Sequence, residues 1–219
     1  RPVSVVSLAY HQLRDMNVPL DSRILIIGAG VVGLSTGIAL LQSRPSLKVI
    51  IADKEKDIAM HASGRNSGVI HAGFYYSPDS LKAKFCRDGN FELRKLAKKY
   101  GIPVKDVGKV VVTRNEDEDS RLNNLFERGI ANGVELEIHP EEKLKEFEPL
   151  AITHNRFMWS PNTGISDPIS IVKAMRDEFL SLGGTIQFDS KVNLTAANGE
   201  IHDSSGRFTF KHVVNSAGA

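Results

Sequence analysis

Three runs of this chain carry residue types whose spacing can do chemistry. The first is Gly28-Ala29-Gly30-Val31-Val32-Gly33, a G-x-G-x-x-G pattern followed about 20 residues on by Asp53. Between a strand and a helix, that pattern holds the pyrophosphate of a dinucleotide. Gly28 permits the tight turn, Gly30 lets a phosphate approach a backbone without Cβ, and Gly33 lets helix and strand pack closely. The amides opening the helix, those of Val31 and Val32 among them, then face the phosphates along a favourable dipole. Asp53 is placed to accept hydrogen bonds from both ribose hydroxyls, with Lys54 beside it. Its charge repels a 2′-phosphate, which argues against NADP. The second run is the polar stretch 54–76, which holds Gly64, Gly68 and Gly73 with Ser63, Asn66 and Ser67. It is too long for an ordinary connection, and long loops in compact domains tend to be functional. A planar flavin needs close cover and NH or OH donors at its edge. Ser63, Asn66, Ser67 and Gly68 have that character. A simple NAD domain would instead continue at once into another helix and strand. The third run, Val213 to Gly218, ends a strand in small residues, so that Ala217 and Gly218 can pass close to a cofactor.

These runs need elements to position them. Arg23–Ile27 reads as a buried strand, and Val32–Ser43 as a helix with Leu34, Ile38 and Leu41 on one face, stopped by Pro45. Lys48–Ala52 reads as a second strand, so the first third of the chain is a βαβ unit with a parallel sheet. A helix is expected from Ser77 as cap and Pro78 as first residue to Gly101, with Leu81, Phe85, Leu93, Leu96 and Tyr100 as its apolar positions. Val107–Thr113 reads as a strand and Asp119–Ala131 as a helix, with Asn115–Asp119 a solvated acidic turn. A short helix follows Pro140, and Arg156–Ser160 reads as a strand. Asp167 and Pro168 open a helix whose apolar face is Ile171, Met175, Phe179 and Leu182. Thr185–Phe188 returns to the first sheet. Val192–Thr195, Glu200–Asp203 and Arg207–Phe210 read as a β-meander, with turns at Asn198–Gly199 and Ser205–Gly206. The expected fold class is therefore α/β: a Rossmann-like dinucleotide-binding domain with parallel sheet and β-meander, interleaved with the start of an α+β substrate domain. Its expected bounds are 22–76 and 168–219 for the first domain and 77–167 for the second, with 1–21 an N-terminal extension.

The net charge of +2 in 219 residues gives no reason to expect nucleic acid, and no run of 18 apolar residues is present to span a bilayer. Cys86 is alone, which suits a reducing compartment. His11, His139, His154, His202 and His212 show no metal-ligand spacing, and no metal site is expected. Lys95, Lys98 and Lys99 make one basic helix face, read as solvated, with a peripheral membrane contact as the alternative. The chain opens on Arg1 and closes on Ala219 directly after a strand, so it is read as a fragment.

The run His61-Ala62-Ser63-Gly64-Arg65-Asn66-Ser67-Gly68-Val69-Ile70-His71-Ala72-Gly73-Phe74-Tyr75-Tyr76 resembles the flavin loop of the L-2-hydroxyglutarate dehydrogenase/oxidase family, within the D-amino-acid-oxidase-like flavoproteins. The resemblance continues through Pro78–Cys86, Val107-Gly108-Lys109, Asn132-Gly133, Glu148-Pro149 and Thr163–Asp167. The family pattern has histidine where Arg65 stands and glutamate where Asp53 stands. The first departure puts the substrate in doubt. The resemblance implies FAD as cofactor and oxidation of an L-2-hydroxy acid to the 2-oxo acid. His71 then stands as the base for the hydroxyl proton, with flavin contact or a core position as its alternatives. Arg65 stands as a substrate-carboxylate contact, or else a phosphate ligand or a solvated side chain. Tyr75 and Tyr76 stand as pocket walls or ordinary packing, and the Val192 backbone as the adenine contact or a plain strand residue. The electron acceptor would be a quinone or oxygen. The location would be cytoplasmic or peripheral at the inner membrane, and mitochondrial if residues 1–21 are a transit peptide. The competing functions are an FAD-binding module without activity, a flavin amino-acid oxidase or dehydrogenase, and an NAD-dependent dehydrogenase.

Overall fold

A computed structural model of the chain describes residues 23–194, 200–203, 206–210 and 212–218. The N-terminal extension, His11 and the turn at Asn198–Gly199 lie outside the described residues, as does Ser205 of the second meander turn. The chain divides into two compact units, with the breaks at Ser67/Gly68 and Ser166/Asp167.

The first unit is built on a four-stranded parallel sheet of order β13-β1-β2-β9. Its strands are β1 (Arg23–Ile27), β2 (Lys48–Ala52), β9 (Thr185–Gln187) and β13 (His212–Asn215). Continuous apolar runs make β1 and β2, as strands covered on both faces require. Ile24, Leu25, Ile26, Val49 and Ile51 are buried. Helix α1 (Val31–Ser43) buries Leu34, Ile38 and Leu41. Helix α5 (Pro168–Ser181) packs beside α1. Asp167 caps α5, its carboxylate accepting from the amides of Ile169 (3.4 Å) and Ser170 (2.9 Å), with proline first in the helix. Gly37 and Gly184 both abut the Phe179 ring, so the helices close on a fully buried aromatic. The meander β10 (Asn193–Leu194), β11 (Glu200–Asp203) and β12 (Gly206–Thr209) is antiparallel.

The second unit holds two small antiparallel sheets, of orders β3-β8-β4 and β5-β7-β6. The first comprises β3 (Val69–Ile70), β4 (Val104–Lys105) and β8 (Gly164–Ser166). The other comprises β5 (Lys109–Val112), β6 (Glu137–Pro140) and β7 (Arg156–Ser160). Helices α2 (Leu81–Lys99), α3 (Glu116–Ala131) and the single turn α4 (Leu144–Phe147), preceded by a 3₁₀ turn at Glu141–Lys143, complete it. Its core gathers Ala72, Phe74, Leu122, Val134, Leu136 and Met158.

Four local expectations are corrected. Ser80, not Ser77, caps α2: its Oγ accepts from the Ala83 amide at 3.2 Å, while Ser77-Pro78-Asp79 form the preceding turn. Leu81 is 57 % exposed, because the buried side of α2 runs through Ala83 and Ala97. Asn115–Asp119 is no acidic turn; Asn115 caps α3, and the four acids fill its first turn, where the helix dipole favours them. Asp119 is buried, its carboxylate accepting from Arg156 Nε (2.8 Å) and Nη2 (3.0 Å), which ties α3 to β7. The strand expected at Val107–Thr113 is shorter, β5 at Lys109–Val112, because Gly108, with φ +66°, turns the chain just before it; β4 (Val104–Lys105) was not expected.

Candidate functional site

In the first unit the glycine turn, the end of β2, the loop after it and the end of β13 converge. The Gly28 amide donates to the Ala52 carbonyl at 2.8 Å, which fixes the turn to β2. Gly28 has φ +105°, and a Cβ there would stand 2.5 Å from the Ser216 carbonyl oxygen. A Cβ on Gly33 would stand 2.0 Å from the Gly28 carbonyl oxygen. Neither position admits a side chain, which is the close strand-to-helix approach the motif needs. Ser216 pins the same turn from β13: its Oγ donates to the Ile27 carbonyl at 2.8 Å, and its amide to that same oxygen at 2.9 Å. The sequence offered Ala217 and Gly218 in this run. Ala217 does lie against Gly28, while Gly218, with φ +87°, faces open space.

Asp53 bonds the backbone on both sides of it. One carboxylate oxygen accepts from the Ala29 amide at 2.7 Å, the other from the Glu55 amide at 2.9 Å. A carboxylate offers about four lone-pair directions, so two remain for hydroxyls. Lys54 beside it is exposed and lies 4.0 Å from Glu55. Ser63 reaches back across the loop, and its Oγ accepts from the Val31 amide at 3.1 Å. A Cβ on Gly30 would stand 2.9 Å from that Oγ, so the hydroxyl and the bare glycine face each other over the start of α1. The loop holds its shape through Asn66, whose Nδ2 donates to the carbonyls of Ala62 (3.1 Å) and Ser63 (3.0 Å). Gly64 is pressed on Ala59, where a Cβ would meet its carbonyl oxygen at 2.1 Å. Arg65 and Ser67 are exposed. Val192 packs its side chain with Leu25, Ala52 and Phe210.

This arrangement fits the pyrophosphate part of a dinucleotide. Helix α1 begins on Gly30 with no side-chain cap and no acid in its first turn, and Val32 there is 64 % exposed. With the Val31 amide held by Ser63, the other amides of this helix end, beside glycines that admit no Cβ, are a donor set for an anion.

The remaining candidates lie in the second unit. His71 follows β3, and Gly68 opens this unit, its carbonyl accepting from the Ser166 amide at 2.9 Å. The segment His71–Tyr76 is held by residues the sequence did not single out as functional. Asn90 Nδ2 donates to the His71 carbonyl at 3.0 Å. Asn132 Nδ2 donates to the carbonyls of Gly73 (3.2 Å) and Tyr76 (2.9 Å), and Arg128 Nη1 to that of Tyr75 at 3.1 Å. The resemblance through Asn132-Gly133 was the available signal for one of them. The His71 ring is exposed yet crowded; partial loss of hydration, then the Lys109 charge, push its pKa below the ordinary value. Lys109 lies with Nζ 4.8 Å from the Tyr75 ring centre. Tyr76 meets Lys82, with Nζ 5.9 Å from its ring centre. Among the described residues no cluster of His, Cys, Asp and Glu is placed to hold a metal, and no helix is long and apolar enough to cross a membrane.

Comparison with known proteins places the chain. The family model DAO, described as FAD dependent oxidoreductase, matches residues 23–219. The chain is 38 % identical over 207 residues to an L-2-hydroxyglutarate dehydrogenase of Indibacter alkaliphilus, covering 91 % of this chain and 51 % of that protein. It is 38 % identical over 207 residues to the mitochondrial L-2-hydroxyglutarate dehydrogenase of Caenorhabditis elegans, covering 89 % and 47 %. The chain thus spans about half the length of the curated relatives it matches. Among solved structures, L-proline dehydrogenase from P. horikoshii superposes with a TM-score of 0.78 at 22 % identity, over 92 % of this chain and 54 % of that one, which is a likeness of fold.

Proposed function

The chain belongs to the DAO family of FAD-dependent oxidoreductases, and on that premise we propose that the whole protein oxidises an L-2-hydroxy acid, L-2-hydroxyglutarate first among them, to the 2-oxo acid. The observation that carries the substrate is the 38 % identity, over 91 % of this chain, to a relative of that name. In this reading Gly28 to Gly33, Asp53, Lys54, Ser63, Asn66, Ser67, Gly68, Val192, Ala217 and Gly218 form the FAD site. The amides of α1 and the Ser63 hydroxyl bind the pyrophosphate, and Asp53 binds ribose hydroxyls with the lone pairs its backbone bonds leave over. Bound FAD supplies the two-electron acceptor for the hydride from the substrate α-carbon. His71 takes the proton of the α-hydroxyl as the carbonyl forms. Its lowered pKa favours that role, since the neutral imidazole is the form that accepts. Arg65, Tyr75 and Tyr76 stay with the substrate side of the reading.

The test is anaerobic. Full-length holoenzyme is mixed with L-2-hydroxyglutarate, and the flavin band at about 450 nm is followed. Bleaching with formation of 2-oxoglutarate is expected. A band that persists with this acid but bleaches with an L-amino acid would replace the substrate class. A folded, FAD-supplemented protein with no flavin band would sink the cofactor assignment.

A further inference from the structure

Lys109 is the first residue of β5 and is half-buried. Gly108, just before it, has φ +66°, and a Cβ there would fall 1.8 Å from the Trp159 ring, so only glycine lets the chain enter the strand at this angle. Val111, on the same strand face two residues on, packs on the core cluster that contains Ala72 and Phe74. Lys109 is thereby brought over the segment following His71, with Nζ 4.8 Å from the Tyr75 ring centre and 5.9 Å from that of Phe74.

Several arginines of this unit have carboxylates, while Arg128, beside Tyr75, is held by that residue's carbonyl. Arg94 pairs with Asp106, Arg114 with Glu118 and Arg156 with Asp119. Among the described residues none pairs with Lys109. Two aromatic faces hold an ammonium weakly, by about 1 kcal/mol at such sites, and do not neutralise it. A half-buried cation without a counter-charge favours an anion beside it. The Lys109 charge reaches His71 as well, being the one charge that helps to lower that pKa.

We propose that Lys109 is a carboxylate seat of the substrate site, binding a carboxylate of the hydroxy acid beside His71, with the Tyr75 face as its floor. The inference rests on the reading of His71 as the proton acceptor. It assigns to the second unit a binding residue for an anionic substrate, so a neutral alcohol would lack its partner.

The test uses full-length holoenzyme and glutarate, a dicarboxylate with no hydroxyl to oxidise. Its binding is read from perturbation of the flavin absorption spectrum, without turnover. Lys109→Met should weaken glutarate binding about 10- to 100-fold, the loss expected of a charged hydrogen bond. Lys109→Arg should restore it to within a few-fold. Lys109→Gln, of similar reach but neutral, should behave as Lys109→Met. Glutarate binding in both neutral variants within twofold of the unaltered protein overturns the proposal. So does a spectrum of the unaltered protein that glutarate leaves unchanged. Loss of FAD or of the folded far-UV spectrum in both neutral variants assigns Lys109 to the fold and overturns it as well. If glutarate binds through Lys109 while L-2-hydroxyglutarate does not bleach the flavin, the seat stands and the substrate reading falls.

Discussion

At the scale of residues, His71 sets the pH behaviour expected of the proposed reaction. Desolvation first, and the Lys109 charge second, place its pKa below the ordinary 6.5. The sign follows directly: the neutral imidazole persists above the folded pKa and disappears as pH falls through it. The kcat/KM of the full-length enzyme should therefore hold as pH drops past 6.5 and decline only at lower pH. A profile that already falls by half at or above that value would remove His71 as the base. His71→Gln should lower kcat about 10²- to 10⁴-fold with FAD content unchanged. A loss of less than tenfold would leave it a flavin contact. The glycine turn and Asp53 were legible in the sequence, because a turn closed by Gly28 and Gly33 is a local demand on neighbouring residues. The clamps on the His71 segment were not. Asn90 and Asn132 act on carbonyls 19 and 59 positions away; the asparagine on a helix, Asn90, carries no mark of such a contact, and Asn132 was marked only by the Asn132-Gly133 resemblance.

Elements show which local signals compete. Ser77 and Ser80 both offer an N-cap oxygen, and Pro78 favours a start after Ser77. The structure closes a turn first, with the Ser80 amide and Oγ both donating to the Ser77 carbonyl at 2.9 and 2.6 Å, and the helix begins after Ser80. Ser80→Ala should cost about 1 kcal/mol of stability in denaturant unfolding. Ser77→Ala should cost only a few tenths. Equal losses would mean that the cap lies elsewhere. The strands β1 and β2 could be read to the residue from their apolar runs. β4 and β5 could not, because the glycine that separates them is demanded by the Trp159 ring, 51 positions along the chain from it.

Across the whole molecule, the first unit is discontinuous, made before residue 68 and again after residue 166. Its sheet joins the two parts edge to edge, β1 lying between β2 and β13 with Ile26 opposite Val214. Val214→Pro removes a ladder donor from β13 and disturbs the strand that carries Ser216. The full-length variant should retain less than a tenth of the unaltered protein's FAD through gel filtration, and full retention would show that β13 does not shape the cradle. The Ser216 hydroxyl meets the Ile27 carbonyl across 189 positions. On the ribosome, which makes roughly 5–20 residues each second, β1 emerges many seconds before β13. Throughout that interval the nascent β1 has an open edge, of the kind that invites pairing with other chains. The glycine turn is made early, but the Ser216 contacts that pin it form only after β13 is made, so on the proposed reading a cradle complete enough for FAD follows synthesis of β13.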